Sequence, residues 1–381
     1  MFFRKEIEHK KLFKLALVSF IFTIFVIILG VFTRLADAGL GCPDWPGCYG
    51  HLLWPNEAHE IVKAEAKFPD APVEHDKTWP EMVHRYLAGS LGLFILAIAI
   101  ISLMQRKVQL ASETLNSPAS AASKSALSPS LASSIVRIGQ RVPIKLPLVL
   151  LAMVILQATF GALTVTLKLW PKIVTTHLLG GFTTLTLLWI LTQRLGGSRW
   201  LLNESQKNTL QTIKPWLIMG LIAVIGQIAL GGWVSSNYAA LACPDLPKCL
   251  NQWIPPTDFK AGFNVWQDIG PNYLGGQLDN HARTAIHLTH RIGAIVVLVI
   301  LVIMGVKLLR VKAKEVSQWV YLLWAVLGIQ ILLGMSNIIY SLPLSIAVAH
   351  AVVGAGLLIT LISIIYRTYD VNFAADENMG K

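Results

Sequence analysis

The chain has 381 residues, 54% of them hydrophobic and only 14% charged, where an ordinary soluble domain is about 25% charged. That composition excludes a soluble globular enzyme and points to a polytopic membrane protein. The net charge of +11 would suggest nucleic acid in a soluble chain, but here the cations sit in particular loops between apolar runs, so no nucleic-acid partner is expected.

In chain order, runs close to the roughly 20 residues that cross a bilayer as a helix fall at about 15–32, 81–104, 146–167, 173–191, 216–234, 285–306, 320–340 and 345–366. Eight spans are predicted, all helical. The basic amino terminus leads into a full-length apolar run without a small-residue cleavage site, and so reads as the first span rather than a removed signal. Arg4, Lys5, Lys10, Lys11 and Lys14 precede it, and further Lys and Arg follow spans 2, 4 and 6. By the positive-inside rule these faces are cytoplasmic. The loops after spans 1 and 5 are acidic and are expected outside, with both termini inside. Within 111–134 the chain is rich in Ala, Ser and Pro and too poor in large apolar side chains to fold alone; 111–145 reads as a flexible cytoplasmic linker. The outer loop 49–79 is longer than a connection needs and is expected to fold over the outer face as a short helix or lid.

The two ends of the chain repeat one design. Cys42-Pro43-Asp44-Trp45-Pro46-Gly47-Cys48 returns as Cys243-Pro244-Asp245-Leu246-Pro247-Lys248-Cys249. Gln157, Gly161 and His177 return as Gln330, Gly334 and His350, and Glu81-x-x-His84-Arg85 as His287-x-x-His290-Arg291. The expected architecture is therefore an all-α membrane protein whose eight transmembrane helices form two tandem four-helix bundles, parallel repeats about a pseudo-two-fold axis along the membrane normal. The N-terminal half is assigned to 1–110 with 146–195, and the C-terminal half to 214–370.

Spans 2, 4, 6 and 8 each open with an intramembrane histidine: His84, His177, His290 and His350. An ionisable group inside a membrane is costly unless something uses it. Imidazoles from facing helices hold haem axially in helix bundles, and the residue one turn after each histidine is small: Ala88, Gly181, Ala294 and Gly354. Two haem sites follow, His84 with His177 and His290 with His350; the competing reading is ordinary small-residue packing. Arg85 and Arg291 stand next to histidines at helix amino termini, where the macrodipole disfavours a cation. Haem propionates would remove that conflict, and snorkelling to headgroups is the other reading. The four cysteines form two Cys-x5-Cys pairs that oxidise readily outside the cytoplasm, as structural staples or in a redox role. Glu81 breaks the symmetry, since its counterpart is His287; it is either a reactive carboxylate on the face of His84 or a cap of the helix amino terminus.

Taken together, Arg34-Leu35-x4-Leu40-x-Cys42-Pro43-Asp44-Trp45-Pro46-x-Cys48, Glu81-x-x-His84-Arg85, His177, His290-Arg291 and His350 resemble the haem A synthase family across essentially all eight spans. The resemblance implies an oxidoreductase of the bacterial inner membrane that turns the C8 methyl of haem O into the formyl group of haem A for cytochrome c oxidase. It implies haem b as cofactor on His290 and His350, a substrate haem O site on His84 and His177, Glu81 as the functional carboxylate, and Cys42/Cys48 as an outer disulfide, with Cys243/Cys249 the matching pair. Membrane lipid, haem O synthase, cytochrome c oxidase assembly factors and a second copy of the chain are the candidate partners. The competing function is a di-haem b-type electron carrier between quinol and a partner, which would use the same histidines and leave Glu81 unexplained.

Overall fold

A computed structural model describes residues 9–115 and 142–376. Among these residues the chain is helical without a strand, and eight helices are long and apolar enough to cross a membrane. They are α1 (Lys10–Leu35), α3 (His75–Leu115), α4 (Lys145–Thr166), α5 (Pro171–Gly196), α6 (Glu204–Ser236), α8 (Asn280–Leu309), α9 (Lys314–Ile339) and α10 (Leu344–Asp376). Two short helices lie in the connections, α2 (Ala58–Lys67) in the loop 49–79 and α7 (Phe259–Gly262) after the second cysteine pair. The short helix expected in the first loop is thus present; most of the expected linker lies outside the described residues.

The ends of the helices follow from local chemistry. Pro171 starts α5, where its missing N–H costs nothing, and Gly197 ends it at φ 63°, a left-handed conformation that glycine adopts without penalty. Asn203 accepts from the Gln206 N–H at 2.9 Å ahead of α6, and Asp279 from the Ala282 N–H at 2.8 Å ahead of α8, each satisfying an orphan donor of a first turn. Along the spans, many hydroxyls fold back onto the preceding turn, as Thr23 does onto the Ser19 carbonyl at 2.7 Å, which pairs their O–H groups within the helix.

Several helices are longer than the hydropathy runs. Span 2 begins at His75 rather than Glu81 and carries Pro80 inside it; span 5 begins at Glu204 rather than 216 and carries Pro215. The hydropathy pattern sees only the part of a helix that must lie in lipid. Polar turns at the end are invisible to it, and a proline that reads as a boundary is absorbed as an interior kink point.

In packing, α1 lies against α3 and α5, and α4 against the same two helices; α6 lies against α8 and α10, and α9 against the same two. Contacts between these groups run from α5 to α6 and from α10 to α1 and α5. Polar pairs mark that seam. The Trp189 indole donates to Ser363 Oγ at 2.7 Å, and Thr175 and Ser236 hydroxyls meet at 3.1 Å. Tyr238 OH donates to Asp37 Oδ1 at 2.7 Å, across 201 residues of sequence, while Arg34 donates to the Ser235 carbonyl across the same separation. The buried core is a continuous layer of aliphatic side chains, with Leu188, Leu191, Leu217 and Leu301 fully enclosed.

Candidate functional site

Each of the four histidines lies against a glycine of the span that precedes it. A Cβ on Gly30 would stand 2.6 Å from His84 Cε1, one on Gly334 3.1 Å from His350 Cε1, one on Gly231 3.3 Å from His290 Cε1, and one on Gly161 3.5 Å from His177 Cε1. Four hairpins therefore present the same local arrangement, an imidazole of the second helix set over a glycine of the first. The imidazoles of His84 and His177 lie within electrostatic reach of each other, as do those of His290 and His350. Among the described residues no group of three or more His, Cys, Asp or Glu gathers as a metal cluster.

Glutamines complete three of the hairpins. Gln157 Nε2 donates to the His177 carbonyl at 2.9 Å. Gln227 Nε2 donates to the His290 carbonyl at 2.9 Å and stands 3.1 Å from His290 Nδ1, and Gln330 Nε2 is 3.3 Å from a ring nitrogen of His350. The space expected beside the histidines at Gly181 and Gly354 faces these amides: Gln157 Nε2 lies 3.6 Å from a Cβ built on Gly181, and Gln330 Nε2 3.3 Å from one on Gly354. The sequence reading missed Gln227, although extending the 201-residue repeat four positions upstream of Gly231 would have reached it, with Val26 as its counterpart.

Glu81 is 4% exposed. Its Oε2 accepts from the Cys42 N–H at 3.0 Å and its Oε1 from Arg85 Nη2. It caps nothing, because α3 starts six residues earlier. Arg85 Nη1 in turn donates to the carbonyls of Asp44, Pro46 and Gly47 at 2.9, 3.2 and 2.6 Å, inside the loop closed by the Cys42–Cys48 disulfide. The second half repeats the clamp. Cys243 and Cys249 are bonded; Arg291 donates to the carbonyls of Asp245, Lys248 and Cys243 at 2.9, 2.9 and 2.5 Å. There His287 takes the place of Glu81, with its Nδ1 3.3 Å from the Cys243 nitrogen and its Nε2 3.3 Å from Arg291 Nε. Both arginines are thus engaged by the carbonyls of their disulfide loops; because the helices start at His75 and Asn280, neither arginine stands at a helix start as expected, and neither the propionate nor the headgroup reading foresaw backbone carbonyls as partners.

Each loop is held in shape by an aspartate. Asp44 accepts from the N–H groups of Tyr49 and Gly50 at 2.6 and 2.8 Å, and Asp245 from those of Leu250 and Asn251 at 2.7 and 2.8 Å. The N–H groups of Asn251 and Leu250 hold the Asp245 carboxyl below its ordinary range. Burial, and behind it the carboxylates of Glu74 and Glu65, push the Tyr49 hydroxyl up to about 12, and it donates to the Pro72 carbonyl at 3.0 Å. Part of the connection between α6 and α8 crosses to the first half. Lys172 Nζ sits 3.6 Å above the Trp266 ring, the Trp170 indole donates to the Gln267 carbonyl at 3.2 Å, and the Tyr273 N–H to the Lys168 carbonyl at 3.0 Å.

The donor set fits haem. Nδ1 of His84, His177 and His350 is buried without a hydrogen-bond partner, an arrangement that is costly unless the ring serves a ligand, and the glycine opposite each imidazole leaves it free of a Cβ. The model of the cytochrome oxidase assembly protein family (COX15-CtaA) matches residues 13–362. The chain belongs to this family. It is 40% identical over 350 residues to the "Heme A synthase" of Shewanella oneidensis, covering 92% of this chain and 94% of that relative. It is also similar to proteins of the same name from Chelativorans sp., at 24% identity over 87% of this chain and 83% of the relative, and from Caulobacter sp., at 28% over 40% and 42%. The resemblance read from the histidines, Glu81 and the cysteine loop agrees with this membership.

Proposed function

We propose that the chain is a haem A synthase, oxidising the C8 methyl of haem O to a formyl group. The observation that carries this is the 40% identity over 92% of the chain to a protein of that name, in a sequence that sets four intramembrane histidines over four glycines. In this reading the N-terminal half takes haem O between His84 and His177, and the C-terminal half holds haem b between His290 and His350. When bound, haem b supplies one-electron transfer. The contacts of Arg34 with Ser235 and of Asp37 with Tyr238 support the paired halves, because positions separated by the repeat offset touch one another, as residues beside a two-fold axis do. The enzyme lies in the bacterial inner membrane with its termini in the cytoplasm and its cysteine loops outside.

Glu81 distinguishes the reactive half. Taking a ring methyl to a formyl group with one water as the oxygen source releases four electrons, which a one-electron acceptor outside this chain must take up, and four protons; loss of the first two electrons and a proton leaves positive charge on the carbon, and the water that adds there must lose a proton. A carboxylate on the face of His84 stabilises that charge or takes that proton. The Cys42 N–H and Arg85 fix its position, each holding one oxygen, and a carboxylate retains further lone pairs for a water. The His287 imidazole offers no such anion, which supports the first half as the reactive one.

Pigment extracted from purified protein tests the reading. Haem b together with haem O or haem A is expected; haem b alone would favour the di-haem carrier, and no haem would remove both. Glu81→Gln keeps the shape and the Cys42 hydrogen bond but removes the charge. It is expected to retain haem, stop haem A formation and accumulate haem O or the intermediate alcohol, as read by chromatography and mass spectrometry; normal haem A yield would move the reactive group elsewhere.

A further inference from the structure

The turn that closes each disulfide ring ends on two bare apolar side chains. Leu52 and Leu53 are 85% and 60% exposed, and Trp253 and Ile254, their counterparts 201 residues later, are 70% and 88% exposed. The backbones of Cys48 and His51 pair through hydrogen bonds of 3.0 and 2.9 Å, and those of Cys249 and Gln252 through two of 3.0 Å. Each apolar pair therefore leaves the end of a closed ring that an aspartate braces, rather than a loose loop tip. Large apolar side chains held out in this way at two repeated places mark a surface that something covers.

The helix beside each ring shows what that is. Tyr86 OH donates to the Leu52 carbonyl. Tyr86, Leu93 and Ile100 are exposed and stand seven residues apart, so they share one face of α3, and the exposed apolar face of a membrane span meets lipid. Since α3 begins at His75, Tyr86 lies about 16 Å along the axis from that end at 1.5 Å per residue. A tyrosine side chain is much shorter than that, so Leu52 lies beside the lipid face of α3 and well short of the helix end. The second half repeats the setting. Ile292, Val299 and Val306 are exposed along α8 at the same spacing, and Arg291 holds the Lys248 carbonyl as Arg85 holds that of Gly47, which sets the second ring on its helix as the first is set. Lys248 Nζ is 5.8 Å from the centre of the Trp253 ring, and an indole with an ammonium group beside it suits the headgroup level of a bilayer.

We propose that Leu52-Leu53 and Trp253-Ile254 are two lipid pins, set into the acyl-chain boundary of the leaflet on the side of the disulfide loops, with phospholipid as their partner. That lipid is the continuation of the one that α3 and α8 already face. The first pin also bears on Glu81. Its ring carries the Cys42 N–H that holds Glu81 and the Gly47 carbonyl that holds Arg85, so contact with the membrane steadies the frame around the carboxylate. The inference needs only the membrane-spanning helices and stands whether or not haem is bound.

The test uses the full-length protein in phospholipid nanodiscs. The four cysteines of the chain are paired and at most 2% exposed, so a single introduced thiol takes a single spin label. Leu53→Cys and Ile254→Cys are compared with Leu93→Cys on the lipid face of α3 and with Asp70→Cys, an exposed carboxylate position between α2 and α3. Collision rates with oxygen, which concentrates among acyl chains, and with a water-soluble nickel chelate read the surroundings of each label. Labels at Leu53 and Ile254 are expected to match the one at Leu93, with a several-fold higher ratio of oxygen to nickel collisions than the one at Asp70, and each pin is judged by its own label. A ratio like that at Asp70 would place the side chain in water, and low collision with both reagents would place it against protein; either result overturns that pin. Trp253→Phe gives a second reading without a label. Brominated acyl chains are expected to quench part of the indole emission of the parent that this variant lacks, and an unchanged quenched emission would overturn the second pin.

Discussion

Adding one methyl group at the four histidine-facing glycines should produce a graded series set by distance. Glycine to alanine in a helix interior ordinarily stabilises by about 0.5–1 kcal/mol, so Gly161→Ala, whose new Cβ would be in ordinary contact at 3.5 Å, is expected to melt at or slightly above the parent temperature with normal haem. At Gly30 the nearest atom would be 2.6 Å away, well inside contact distance, and overpacking of this kind costs about 1–3 kcal/mol. The atoms in the way belong to the His84 ring rather than to backbone, and the ring can swing aside. The net destabilisation is therefore between about 0 and 2.5 kcal/mol after the helix gain, but the imidazole no longer stands where it did. Gly30→Ala should insert and fold, keep the haem of the C-terminal half and lose that of the N-terminal half; Gly334→Ala and Gly231→Ala, at 3.1 and 3.3 Å, should weaken the C-terminal haem in that order. Pigment analysis with reduced-minus-oxidised spectra and thermal melts on the four variants reads the series. Gly30→Ala and Gly161→Ala with the same haem content would refute the argument that glycine clears the imidazole.

His290→Ala or His350→Ala should abolish the stable haem b spectrum while leaving the protein inserted, and an unchanged spectrum in both would end the assignment of that pair. Replacing Cys42 and Cys48 by serine opens a ring of sequence separation 6, worth about 2–2.5 kcal/mol by chain entropy; a lower melting temperature with turnover retained marks a staple, whereas equal melting without turnover marks a redox role. For Asp245 the folded carboxyl is held low by the Asn251 and Leu250 N–H groups, so its contribution is present above the unfolded value and disappears as pH falls through the folded one. Acidification below about pH 4 should loosen the second disulfide loop, read as faster exchange of the Asn251 amide, and Asp245→Asn should show that loosening already at neutral pH.

The span count, the repeat, the histidines and Glu81 were legible in the sequence because each depends on chemistry that is local or periodic. A helix in lipid must be apolar for about 20 residues, a costly side chain such as His84 or Glu81 stands out against that background, and a duplicated unit keeps its spacing from Cys42 to Cys243. What the sequence by itself left undecided was what those side chains touch. Arg85 and Arg291 read equally as propionate ligands or headgroup contacts, and only the tertiary structure shows them on the carbonyls of Asp44 and Asp245, since nothing in the order of residues states which loop folds back onto which helix. Glu81 read as a cap or a reactive group until the helix was seen to start at His75; hydropathy cannot register a polar turn beyond the lipid. Gln227 stood in an apolar run as one polar residue among many, and it became distinctive only when folding placed its amide 3.1 Å from His290 and set Val26 in the corresponding place beside His84. Composition and period decide which segments enter the membrane, because that is a matter of solvent, whereas the partners of each polar group are decided by packing between helices far apart in the chain.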